Sequence, residues 1–165
     1  MYDDFVLAQL LGFVSFGLGM TAFYQRDDKR LKQIMVVFNL NHAIHYVLLA
    51  AMPAALSSLL SGARTWLSIR YRSHQLAWVF IILNLFVGWF VATDWTALFP
   101  MAGFCLGTYA LFCLKGLKMR FFFVIGALCW LANNIIVGSW GGVLLETCLL
   151  AMNLRTMIVM KISPV

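Results

Sequence analysis

Apolar residues in this chain form long continuous runs, which short polar stretches interrupt. A lipid-facing β-strand would alternate apolar and polar residues, so this pattern argues against a membrane barrel. Runs of roughly 20 residues have the length that an α-helix needs to cross a bilayer. The pattern therefore predicts an all-α polytopic membrane protein with seven transmembrane helices. Their expected bounds are 5–24, 31–51, 53–70, 76–92, 97–114, 121–137 and, after the glycines Gly138, Gly141 and Gly142, up to Lys161.

The composition supports a membrane location. Of 165 residues, 63% are hydrophobic and 11% are charged, and the mean hydropathy is +0.90. A soluble domain of this size could not remove so much apolar surface from water. The first apolar run follows Asp3 and Asp4 and has no convincing cleavage site, so we interpret it as a retained helix, not a signal peptide. The outer surface of the protein is expected to contact the lipid bilayer.

The net charge of +6 does not indicate nucleic acid, because the basic residues cluster at the ends of the apolar runs. The first, third and fifth connections are basic, whereas the second and sixth carry no Lys or Arg and the fourth carries only Asp94. The positive-inside rule then places the N-terminus outside and the C-terminus, with Lys161, in the cytoplasm.

An internal repeat organises the chain. A Gly-Phe dipeptide at 12–13 returns at 103–104, and an Arg-Thr dipeptide at 64–65 returns at 155–156, both at an offset of 91. A same-direction repeat of three helices is typical of transporters. The expected architecture is two parallel three-helix bundles joined by a linker helix (3+1+3), with boundaries at 1–73, 74–96 and 97–165.

The offset is smaller in the middle of the repeat. Pairing His45 with Asn134, and Pro53 with Gly142, gives 89. We therefore expect about two extra residues at the entrance to the seventh helix.

Polar residues within the predicted spans are concentrated in three helices. Such residues are costly in lipid and usually face the bundle interior or a cavity. In each of the second, sixth and seventh spans their spacing of three, four or seven residues places polar side chains on one helical face. The sequence predicts a solute-binding cavity between the two bundles, and its candidate residues are Asn41, His42, His45, Trp130, Asn133, Asn134, Glu146 and Asn153.

Arg64 is the deepest basic residue of the first half. It follows Pro53 by 11 residues, or roughly 16 Å at the helical rise, which places it near the bilayer midplane. Glu146 is the acidic residue of comparable depth. Arg64, Arg155 and Glu146 are therefore expected to form a structural ion-pair network or to take part in gating; direct contact with the solute is left open.

Candidate enzymatic and metal chemistry is weak. Cysteines 105, 113, 129 and 148 lie inside apolar runs without a C-x-x-C pair, so neither a disulfide framework nor a metal site is expected. No H-E-x-x-H or G-x-S-x-G pattern occurs. We predict no enzyme activity, no cofactor and no nucleic-acid partner.

Three stretches carry a family resemblance: Ser-Gly-Ala-Arg-Thr at 61–65, Cys-Leu-Lys-Gly-Leu-Lys-Met-Arg at 113–120, and the segment 129–153 with its Gly-Ser-Trp-Gly-Gly at 138–142. They resemble the YgjV-type bacterial inner-membrane proteins over most of the chain. The resemblance implies a multi-pass location in the bacterial inner (cytoplasmic) membrane.

That family is distantly similar to the SWEET and PQ-loop transporters, which consist of two parallel three-helix bundles. In that group an asparagine on the third helix of each bundle lines the solute site. Asn153 matches it in the second bundle, whereas the first bundle has Ser61 or Gly62 instead. The Pro-Gln dipeptide and the mid-helix prolines of that group are absent here.

Two functions fit these observations. The first is transport of a small polar solute by alternating access between the bundles, as a uniporter or coupled to protons through the histidines. The alternative is a membrane receptor or accessory protein on a SWEET-like fold that does not transport. The identity of the solute and the presence of a homo-oligomer are left open by the sequence.

Overall fold

The computed structural model of the chain describes residues 2–24, 28–71, 73–114 and 116–162. Parts of the predicted basic connections, at 25–27, Arg72 and Lys115, lie outside the described residues. The described residues form seven α-helices and one short 3-10 helix and contain no strand, which confirms the all-α prediction. The helices are α1 (Tyr2–Tyr24), α2 (Asp28–Leu48), α3 (Met52–Ser68), α4 (His74–Val91), the 3-10 helix Trp95–Ala97, α5 (Leu98–Cys113), α6 (Gly116–Ile136) and α7 (Trp140–Ile162).

The outer surface of the protein is apolar, as a bilayer requires. Large apolar side chains are widely exposed, and on α4 they include Phe86, Trp89 and Phe90, of which Trp89 is 81% exposed. Five of the described helices, α1, α4, α5, α6 and α7, are long and apolar enough to cross a membrane. These features fit a polytopic membrane protein.

Helices α2 and α3 are less typical of membrane spans. Helix α3 has 17 residues, about 26 Å of helix, which is slightly shorter than the hydrocarbon thickness of about 30 Å. Helix α2 has 21 residues but begins with several charges and carries buried polar groups in its second half. Its polar side chains are removed from lipid by contacts with other helices. Crossing by all seven helices stays a prediction.

The order of helix contacts forms a closed ring. Helix α1 packs on α2, α2 on α3, α3 on α5, α5 on α6, α6 on α7, and α7 on α1. Helix α4 packs outside this ring against α3 and α5, where the Ser57 hydroxyl donates to Asn84 Oδ1 at 2.9 Å. The predicted repeat is compatible with this order, because α3 meets α5 as α7 meets α1. The division into two bundles stays a prediction.

Helices α2 and α6 end in the same backbone turn. The Ala51 N–H donates to the Tyr46 carbonyl at 2.9 Å, and the Ser139 N–H donates to the Asn134 carbonyl at 2.8 Å. The intervening Ala50 and Gly138 have φ of 54° and 69°, the left-handed conformation that commonly ends a helix. Tyr46 and Asn134 are therefore equivalent, at an offset of 88 (134 − 46). The predicted pairing of His45 with Asn134 is one residue out at this turn.

The glycine-rich entrance to the last helix also differs from the prediction. Only Gly138 lies in the turn, whereas Gly141 and Gly142 belong to the first turn of α7. Both are needed for close packing: a Cβ at Gly141 would overlap the backbone of Gly12 on α1, and one at Gly142 would overlap the Asn134 side chain. The start of α6 differs as well: the helix begins at Gly116 and not at the predicted residue 121. The basic residues between these two positions therefore belong to the helix.

We predict that Gly141→Ala destabilises the protein by about 1–3 kcal/mol, because the added methyl meets backbone that cannot rotate away. The matched control is Gly17→Ala on α1, where an added Cβ would meet nothing within 4 Å. That change should be neutral or stabilising, since alanine is the better helix former. Thermal unfolding of the detergent-solubilised variants measures both. Equal midpoints for the two variants would contradict the close α1–α7 contact.

Candidate functional site

A buried hydrogen bond joins α2 to α6. Tyr46 is 0% exposed, and its hydroxyl donates to Asn134 Oδ1 at 2.6 Å. The same hydroxyl oxygen lies 3.0 Å from His42 Nε2, one helical turn earlier on α2. These three side chains, together with His45, Trp130, Asn133 and Glu146, are called the central cluster below.

The donor and acceptor in each of these two hydrogen bonds follow from the single proton that the Tyr46 hydroxyl carries. The single Tyr46 hydroxyl proton points to Asn134, so His42 Nε2 must donate to the Tyr46 oxygen. A neutral His42 then carries its lone pair on Nδ1. That atom is buried and has no hydrogen-bond partner.

His45 fixes three helices around the cluster. Its Nδ1 lies 2.6 Å from the Ala8 carbonyl on α1, so Nδ1 must be the donor. Its Nε2 lies 2.7 Å from the Ser139 Oγ that precedes α7, and in the neutral ring it accepts from that hydroxyl. Ser139 Oγ also accepts from the Gly142 N–H at 3.1 Å, as a helix N-cap does. Both nitrogens of His45 are thus used by the scaffold.

Aromatic rings of α2 and α6 pack together within the cluster. The Trp130 and Tyr46 rings are stacked, with centroids 6.0 Å apart and an interplanar angle of 19°. His42 meets Tyr46 edge-on at 4.5 Å and stacks on Phe38 at 5.0 Å. Trp130 is only partly buried, so part of its ring is available to a flat apolar group.

Several polar atoms of the cluster are buried without a partner. They are His42 Nδ1, Asn133 Nδ2 and Asn134 Nδ2. Glu146 is 8% exposed and, among the described residues, its carboxyl forms no hydrogen bond or ion pair; it interacts electrostatically with Tyr46. Buried polar groups normally find partners. The cluster therefore offers one acceptor, two amide donors and a carboxyl.

The chemistry of a metal site is not present in this cluster. Among the described residues, no group of three or more His, Cys, Asp or Glu side chains could hold a metal ion. The four cysteines are free thiols of intermediate exposure.

Six of the eight predicted solute-site residues come together in the central cluster: His42, His45, Trp130, Asn133, Asn134 and Glu146. The other two form scaffold contacts elsewhere. Asn41 Nδ2 donates to Leu11 O and to Ser15 Oγ on α1, each at 2.8 Å. Asn153 accepts from Arg120 at 3.0 Å and lies seven residues beyond Glu146, about 10 Å along α7.

The predicted ion-pair network is not formed. Arg64 donates from Nη1 to Thr108 Oγ1 at 2.6 Å and lies over the Phe104 ring, with Cζ 5.1 Å from its centroid. Arg155 is exposed. The prediction failed because it used depth along the helix alone: α3 packs on α5, whereas Glu146 lies on α7.

Sequence reasoning missed Tyr46 and Ser139, which are both 0% exposed. Tyrosine is ordinary in an apolar run, and Ser139 was interpreted as part of a glycine-rich turn. The available signals were positional. Tyr46 follows His42 by four residues, and Ser139 precedes Gly142 by three, which is the spacing of an N-cap.

We predict that Tyr46→Phe lowers the free energy of unfolding by about 1–3 kcal/mol, because it leaves the Asn134 carbonyl and the His42 N–H buried without partners. Tyr109→Phe is the matched control, since no hydrogen bond of the Tyr109 hydroxyl occurs among the described residues. Thermal unfolding of the two variants gives the comparison. A Tyr46→Phe midpoint equal to that of the control would contradict the hydrogen-bonded chain.

Sequence similarity to known proteins assigns the chain to a family. A sequence model of a family described as bacterial inner membrane protein (Imp-YgjV) matches residues 6–163. The inner membrane protein YgjV of Escherichia coli (strain K12) is 36% identical over 147 residues, which cover 89% of this chain and 80% of that protein. No solved structure gives a significant match. Together with the apolar helices, these matches support a multi-pass location in the inner membrane, and the chain belongs to the YgjV family of bacterial inner membrane proteins.

Proposed function

We propose that this protein moves a small polar solute across the inner membrane by alternating access, as a uniporter or coupled to protons. The observation that carries the proposal is the central cluster, where α2 and α6 from the two halves of the predicted repeat meet through Tyr46 and Asn134. These residues are equivalent in the two helix-ending turns. A site at the interface between repeats is where secondary transporters bind their solutes.

The unpaired groups of the cluster define the chemistry of the solute. The amides of Asn133 and Asn134 supply donors, and His42 Nδ1 supplies an acceptor. Trp130 supplies a partly exposed ring that can stack on a flat or cyclic group. A small molecule with a ring and a hydrogen-bonding edge satisfies these groups, and its two ends should differ because the two halves carry different side chains.

Glu146 is the residue that we assign to proton coupling. Its carboxyl is 8% exposed and faces no basic partner among the described residues. Carboxyl groups inside a membrane act as proton relays in pumps and transporters. Protonation could therefore accompany solute binding.

The second candidate is a receptor or accessory protein that binds a ligand without carrying it. The observation in its favour is the position of the prolines: the chain has three, and Pro53 and Pro100 lie in the first turns of α3 and α5, not in the middle of a helix. Proline hinges that could support rocking are absent from α1, α2, α5 and α6 across the described residues. A receptor would bind solute at the cluster but would not move it.

We predict that a thermal-shift screen of the purified protein against sugars, vitamins and nucleosides finds a solute that raises the unfolding midpoint, because ligand binding stabilises the folded state. Asn134→Ala should weaken binding of that solute about tenfold, the equivalent of one lost hydrogen bond of about 1.4 kcal/mol. Titration of the midpoint shift measures the affinity.

The matched control is Asn39→Ala, which removes a buried amide that bonds to the Met35 carbonyl of its own helix at 2.6 Å. It should leave the affinity unchanged. Equal affinities for Asn134→Ala and the wild type would contradict the site. Uptake of the same solute into proteoliposomes then separates the two candidates: uptake supports transport, and binding without uptake supports a receptor.

A further inference from the structure

A second polar site lies between α3 and α5 and does not include any residue of the central cluster. Arg64 projects from the second half of α3 and is only 8% exposed. Among the described residues, its hydrogen-bond partner is the Thr108 hydroxyl at 2.6 Å. Thr108 in turn donates to the Phe104 carbonyl at 2.7 Å. The guanidinium is therefore held by neutral groups only.

Among the acidic side chains that the structure describes, none pairs with this guanidinium. Among the described acidic side chains, Asp94 bonds to threonines in the loop before α5, and Glu146 makes no ion pair. A buried, unpaired charge costs several kcal/mol, so native proteins pair it or supply a counter-ion.

The guanidinium also keeps an unused donor. Arg64 Nε is buried and has no hydrogen-bond acceptor, and one residue later the buried Thr65 hydroxyl is unpartnered as well. On the α5 side, Gly107 has no side chain: a Cβ built there would lie 3.8 Å from Arg64 Nη1 and would meet no other atom within 4 Å outside its own stretch of helix. Gly107 therefore leaves room for about one side-chain carbon beside the guanidinium.

We propose that Arg64 binds a small monovalent anion, such as chloride or a short carboxylate, at the interface between α3 and α5. A single negative charge neutralises the single guanidinium, whereas a divalent anion would leave a net charge in the same low-dielectric region. The small exposed fraction of Arg64 favours a small ligand. This proposal is independent of solute transport, because its residues lie on α3 and α5 and not in the central cluster.

The test is the anion dependence of thermal unfolding. The purified full chain is placed in nanodiscs of zwitterionic lipid in sodium gluconate, and gluconate is replaced at constant ionic strength by chloride, formate or sulfate. We expect a saturable rise of about 3–5 °C at a tenfold excess over the dissociation constant for chloride or formate, and no such rise for sulfate. A wild-type midpoint that is the same in every anion would overturn the proposal.

Substitutions test whether the anion-dependent shift of the unfolding midpoint arises at Arg64. Arg64→Gln should lose the chloride and formate shifts, whereas Arg155→Gln, the exposed arginine at the repeat offset of 91, should keep them. Gly107→Asp places a carboxylate beside the guanidinium and should also remove the anion dependence, while Arg64 stays in place. If Arg64→Gln does not fold, the chloride and formate shifts of Gly107→Asp provide the test. An unchanged shift in either folded variant would overturn the proposal.

A last arm distinguishes the source of the anion. Nanodiscs that contain phosphatidylglycerol supply a monovalent phosphodiester at the membrane surface. If a free anion is the ligand, the chloride shift should persist in these nanodiscs. A shift that phosphatidylglycerol abolishes would assign the site to a lipid headgroup and overturn the proposal of a small free anion.

Discussion

The hydrogen bond from Tyr46 to Asn134 is the interaction on which the rest of the interior depends. Away from water, an unpaired hydroxyl or amide is costly, so the two helices must hold these groups together at 2.6 Å. That requirement orients His42 through the same hydroxyl and places Trp130 against the Tyr46 ring. The central cluster is thus organised around the contacts of Tyr46 between α2 and α6.

Small residues make this arrangement possible. A Cβ at Gly141 would overlap the backbone of Gly12 on α1, so α7 can carry no side chain there, and Gly142 leaves room for the Asn134 amide. Helix α1 also packs on α2, where the Ala8 carbonyl accepts from His45 Nδ1. From the same helix, Gln9 bonds to the turn before α7, where its Nε2 donates to the Gly138 carbonyl at 2.7 Å. Helix α1 supplies mainly backbone and amide contacts, yet it fixes the geometry of the cluster.

The sequence predicted most of the helices to within a few residues, because long apolar runs can satisfy their backbone only as helices in lipid. It also predicted six members of the cluster, since polar side chains at helical spacing within apolar runs are rare without a reason. Tyr46 was missed because an aromatic residue is ordinary in an apolar segment, and the sequence does not show that its hydroxyl is buried and hydrogen-bonded. The pairing of Arg64 with Glu146 was wrong because spacing gives depth and helical face, whereas the neighbouring helix depends on tertiary packing. That Arg64 has no acidic partner among the described residues is visible only in three dimensions.

The central claim is that the cluster is reached from both sides of the membrane in turn, and cysteine labelling tests it most directly. Asn133 is 5% exposed, and it can be changed to cysteine after the four native cysteines are replaced by alanine. In oriented proteoliposomes, alternating access predicts that a membrane-impermeant maleimide labels Asn133→Cys from either side, and that a stabilising solute slows both reactions. Labelling from one side only, with and without that solute, would contradict alternating access.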